Sequence, residues 1–101
     1  MFILLTFAAL LDGPISKFDR KSIDAEMVSA RALGDIERCL VDMDGHPAPN
    51  VYRQPDRPGS VTLLWVVDNT AKSRIDLETV AGGTRVRSWL SSKQVTGCTQ
   101  P

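Results

Sequence analysis

On either side of Gly82-Gly83 the chain alternates apolar and polar residues with a period of two, which predicts a β-hairpin formed by residues 74–81 and 84–90. A turn on the two glycines pairs Ala81 with Thr84, Thr79 with Val86, Leu77 with Ser88 and Ile75 with Leu90. On the other face Val80, Glu78 and Asp76 stand opposite Arg85, Arg87 and Trp89. One face is then largely apolar and the other charged, and a one-residue slip mixes the two. Upstream, Ser60–Val67 reads SVTLLWVV, apolar on both sides and rich in β-branched residues, as in a central strand. Residues 51–54 predict a short strand, and Pro55-Asp56-Arg57-Pro58-Gly59 predicts a turn before the central one.

The first half carries a different period. Leu33, Ile36, Leu40 and Met43 recur at three and four residues and mark one face of a helix, with Cys39 beside that stripe. Ser22 is a candidate N-cap, with Asp24 and Glu26 in the first turn, so the helix is expected from Ser22 onward, with a possible break at Gly34. Gly45 is placed to end it, and Pro47 and Pro49 keep it from resuming. The expected architecture is α+β: an N-terminal helix packed on a three- to four-stranded antiparallel meander.

Residues 2–11, FILLTFAALL, contain no charge. The run is too short to span a bilayer and matches the apolar core of an export signal, although no Lys or Arg precedes it and no Ala-x-Ala-like site follows promptly. Residues 1–21 are therefore read as leader and linker, and 22–101 as a single domain, with a first core element as the alternative for the leader. The two cysteines, Cys39 and Cys98, are far apart and lack metal-site spacing, so a disulfide is the leading expectation. Leader and paired cysteines point together to a periplasmic or secreted protein; if residues 2–11 belong to the core instead, the alternative is cytoplasmic.

Charge adds little. Twelve basic residues balance twelve acidic ones, so nothing draws the chain as a whole toward nucleic acid, and no transmembrane span is expected. The halves differ, with five Lys/Arg against eight Asp/Glu up to residue 50 and seven against four after it.

Residues 39–46, CLVDMDGH, end an apolar run in Asp-x-Asp-Gly. The stretch resembles the first motif of the haloacid-dehalogenase-like phosphatases, which implies Asp42 as nucleophile and Asp44 as acid/base beside a magnesium ion. That chemistry needs the aspartates at the end of a buried parallel strand, followed by a phosphate-binding Ser/Thr, a Lys and a later acidic pair. Here the preceding Gly-Asp-Ile-Glu-Arg reads as helix, and no acidic pair follows. Asp42 and Asp44 are accordingly read as helix-end residues. Calcium-loop spacing fails as well, because counting from Asp42 the glycine comes too early and Arg53 stands where the loop needs a Glu. His46, the one histidine, lies between Gly and Pro as a loop residue.

No convergent set of titratable groups emerges, and no metal or cofactor is expected. The candidate interaction surface is the charged hairpin face with Arg85, Arg87 and Trp89. The expected function is a non-enzymatic binding or interaction module of the cell envelope, with another envelope protein as a possible partner. A purely structural envelope component is the first alternative, and metal-dependent phosphatase-like chemistry at Asp42 and Asp44 the second.

Overall fold

The computed structural model describes residues 13–43, 45–90 and 92–100. Residues 2–11, read above as a leader, and Asp44 lie outside the described residues. The described residues are α+β, with five antiparallel strands in the order β1-β5-β4-β3-β2. The strands are β1 (Ala25–Ser29), β2 (Asn50–Tyr52), β3 (Ser60–Val67), β4 (Thr70–Val80) and β5 (Gly83–Ser88), with helices α1 (Leu33–Val41) and α2 (Ser92–Thr99). No helix among the described residues is long and apolar enough to cross a membrane.

The helix expected from Ser22 does not form there. Ala25–Ser29 is instead a strand that pairs with β5, Met27 opposite Val86 and Ser29 opposite Thr84. Ala-Glu-Met favours helix locally, but pairing gives β5 a second neighbour and sets Met27 against the core, so tertiary contacts override propensity. The apolar stripe begins at Leu33, and so does α1. Gly34 lies in its first turn rather than at a break, and the helix ends with Asp42 as C-cap. Gly45 adopts φ +79° beyond that cap, within the following turn.

Two hairpins join the three central strands. Asp68 and Asn69 connect β3 to β4 with φ of 52° and 62°, the left-handed pair that a two-residue hairpin of matching twist needs. Between β4 and β5 the loop is Ala81-Gly82, not Gly82-Gly83. Leu77 therefore pairs with Val86, Glu78 with Arg85 and Asp76 with Arg87. The change is two residues, so every side chain keeps its expected face while its partner changes. Gly83 is committed to the strand, where a Cβ would run into the backbone carbonyl of Ser29 on β1.

Along the strands, alternate residues build the core. Leu63 and Trp65 of β3, Ile75 and Leu77 of β4 and Val86 of β5 pack against Ile36 and Leu40 of α1 and Val95 of α2. Helix α2 was not foreseen: SSKQVTGC has neither a strong apolar stripe nor high helix propensity. It is held from outside. Cys98 forms the expected disulfide with Cys39 of α1, with Cα atoms 5.5 Å apart. Ser29 Oγ donates to the carbonyl of Thr99 at 2.5 Å, and Arg31 Nη1 donates to that of Cys98 at 2.7 Å.

Residues 16–20, which read as linker, form a 3-10 turn on the opposite face of the sheet. Its Phe18 is buried against Leu64 and Ala71. An irregularity between Trp65 and Val66 pairs Trp65 with Ser73 but Val66 with Ala71, which brings Ala71 to that face.

Candidate functional site

Among the described residues, the sheet face away from the helices is covered by the 3-10 turn at one end only. On its remainder, one row in register crosses all five strands: Tyr52, Thr62, Asp76, Arg87 and Glu26. A second row holds Ser60, Glu78, Arg85 and Val28. On β3, β4 and β5 strand pleating sends these residues outward, because neighbours in sequence such as Val61, Leu63, Ile75, Leu77 and Val86 fill the core.

Arg74 is the fixed point of this face. Its guanidinium donates from Nε and Nη2 to the two oxygens of Asp76, at 2.8 and 2.7 Å. The remaining nitrogen, Nη1, donates to the Ile15 carbonyl at 2.7 Å and to Asp19 at 3.0 Å, which ties the 3-10 turn to the sheet. Burial lowers the pKa of Arg74, but hydrogen bonding and attraction to Asp76 and Asp19 outweigh that and leave it raised. Thr62 Oγ1 donates to the same Asp76 at 3.0 Å, so this carboxylate accepts three hydrogen bonds and both its oxygens are engaged.

The three sequence-predicted surface residues divide. Trp89 packs under the 3-10 turn, its ring edge-on to Phe18 at 6.0 Å and 5.0 Å from the Arg74 guanidinium. Its indole nitrogen donates to the Lys21 carbonyl at 3.2 Å. Arg85 and Arg87 are about half exposed, at 48% and 47%. Arg85 pairs with Glu78 at 2.9 Å and Arg87 more loosely with Glu26 at 3.5 Å. The expected opposition of Glu78 and Arg87 is replaced by Glu78 with Arg85, as the shifted register requires.

Between β3 and β5 runs a shallow cavity of about 200 Å³, lined by Arg57 from the 55–59 turn, by Thr62 and Asp76, and by Arg85 and Arg87. An adjoining hollow of about 160 Å³ is lined by Tyr52, Gln54 and Ile15. Arg57 has no carboxylate within ion-pair distance among the described residues. Sequence reading missed Arg57 and Arg74. The signal for Arg74 was its place two residues before Asp76 on a strand, which puts both on one face; a turn arginine such as Arg57 carries no comparable signal.

Asp42 stands at the end of α1, so Cys-Leu-Val before it is the last turn of a helix and not a strand. Among the described residues no three His, Cys, Asp or Glu side chains are grouped to hold a metal ion. The sequence matches no family model, and no similar chain was found among curated proteins or among solved structures.

Proposed function

We propose that this chain is a binding module of the periplasm or the extracellular space, which docks a partner on the open face of its sheet. Three observations support the reading. One face of the sheet is shut by two helices and a disulfide, while the other leaves Arg57, Arg85 and Arg87 accessible around a groove. Paired cysteines persist in oxidising compartments and are rare in the cytosol, in keeping with an export leader at residues 2–11. The groove is also smaller than the clefts that enclose drug-sized ligands, and it is walled by charged side chains, which suits a macromolecular contact better. The exposed arginines on the unshielded face are the observation that carries the proposal.

A photocrosslinking residue placed at Arg87 in the producing cells tests it. The expected result is one discrete adduct, absent when the same residue replaces Asp35 on the helical side. Equal labelling from both positions, or none from either, would sink the reading and favour a purely structural component. Intact mass before and after reduction tests the compartment separately. Export predicts a shortened chain whose two thiols alkylate only after reduction.

A further inference from the structure

From the geometry of the open face we infer that it recognises an extended acidic segment of a partner protein, one with carboxylates at alternate positions. The inference rests on the docking role proposed above and names the chemistry of the partner.

Arg85 and Arg87 are two residues apart on one strand and point to the same side. Strand geometry sets their Cα atoms about 7 Å apart, the same repeat as alternate side chains of any other extended chain. A peptide laid along β5 with Glu or Asp at every second residue therefore meets one guanidinium per carboxylate. Its remaining side chains point away from the sheet. Arg57 rises from the far side of the groove, two strands and about 10 Å across. It grips the same peptide from its other edge.

The arginines are available. Arg57 is without an acidic partner among the described residues, and the Arg87–Glu26 contact is long at 3.5 Å. Exposed ion pairs of this kind hold their partners weakly, so an incoming carboxylate exchanges for Glu26 or Glu78 at small penalty. Arg74 is not available: both edges of its guanidinium are engaged, and it remains part of the groove wall. A single phosphate fits the face less well. Phosphate sites converge several donors on one point, whereas Arg85 and Arg87 hold separate positions on β5 and Arg57 stands on a turn across the groove.

The test uses the protein as purified from the producing cells and three probes: a peptide of about ten residues alternating Glu with Thr, a block peptide of the same composition, and inorganic phosphate. Binding is followed by titration calorimetry at low salt. The alternating peptide is expected to bind best. Arg57→Ala and Arg87→Ala should each weaken it by roughly tenfold, and Arg85→Ala by somewhat less, because Arg85 has the firmer internal partner. Arg38→Ala removes the same charge from the helical side and should change nothing. Unaltered thermal midpoints keep the variants interpretable. If the block peptide or phosphate binds as well, or Arg38→Ala weakens binding equally, the register argument is overturned. Should no probe bind while Arg87 still crosslinks a partner, the acidic segment is refuted and the docking face survives. Failure of both would remove the face itself.

Discussion

The same strands build two unlike surfaces. On one side Leu63, Ile75, Leu77 and Val86 are sealed under α1 and α2; on the other, the residues between them form rows of Thr, Asp, Glu and Arg. The covered side is held by shape, and even its polar members are bonded: Thr84 donates to the Arg31 carbonyl at 2.9 Å and Ser88 to that of Leu90 at 3.1 Å. The open side is held at one end, by Arg74 and the small cluster around Phe18, and elsewhere by exposed ion pairs. Stability and recognition are thereby assigned to alternate residues of one strand, so substitutions on the two sides should differ in kind as well as size.

The largest effect is expected where the covered side is stapled. Replacing Cys39 and Cys98 together by Ser removes a link between residues 59 apart, about 4 kcal/mol on the chain-entropy account. Denaturant titration measures it, and a loss below about 1 kcal/mol would mean that packing alone holds α2 in place. Next comes Leu63→Ala. Its side chain is fully buried in mid-sheet, and a cost of about 3 kcal/mol is expected, from lost transfer energy and the cavity left behind. An equal cost for Thr62→Ala, its neighbour on the open side, would abolish the distinction between the faces.

How much of this was legible depended on whether the signal was local. Alternation assigned Leu77, Glu78, Arg85 and Arg87 to their faces, because a period of two survives any even shift. The partner of each was not legible, since the turn at Ala81-Gly82 and the one at Gly82-Gly83 preserve the same parity. What the observed turn demands is distant: it puts Gly83 in the strand, where Ser29 of β1 passes so close that no side chain fits. Strand β1 was hidden for a similar reason, as its reason to be extended lies in β5. Helix α2 owes its place to a disulfide and to bonds from Ser29 and Arg31, none of which leaves a periodic trace. Cysteine counting found the bond but not the helix that carries one end of it. At the site, Arg85 and Arg87 were legible as exposed, whereas Trp89 was covered by residues 16–20, which polarity and Gly13-Pro14 had marked as linker.

A middle-sized effect is expected at Arg74, where the two sides meet. Arg74→Ala strips Asp76 of its bidentate partner and frees the 3-10 turn, at about 2 kcal/mol. Arg74→Lys should recover less than half, since an ammonium cannot span both carboxylate oxygens. The pH dependence follows from the sign of the shift. A raised pKa means the folded state favours the charged form, so this contribution is complete at neutral pH and fades only in strong alkali. The penalty of Arg74→Ala should therefore be constant from about pH 6 to pH 9 in paired urea titrations. A penalty that vanished by pH 9 would place the stabilisation elsewhere.

The smallest effect on stability is expected at Arg85, and it separates the faces most cleanly. Its pair with Glu78 is about half exposed on both sides, at 48% and 51%, and such pairs contribute about 0.5 kcal/mol. Arg85→Ala and Glu78→Ala should each leave the unfolding midpoint almost unmoved, and added salt should narrow even that difference. The two variants part company in binding. If the open face meets an acidic segment, Arg85→Ala weakens the complex, while Glu78→Ala frees Arg85 from its internal competitor and strengthens it. A structural role for the pair predicts the opposite symmetry, with both variants equally harmful to stability and neither altering binding. Opposite signs from two partners in one ion pair cannot come from a general loss of folding, so this measurement ties the open face to recognition without depending on the stability of the covered one.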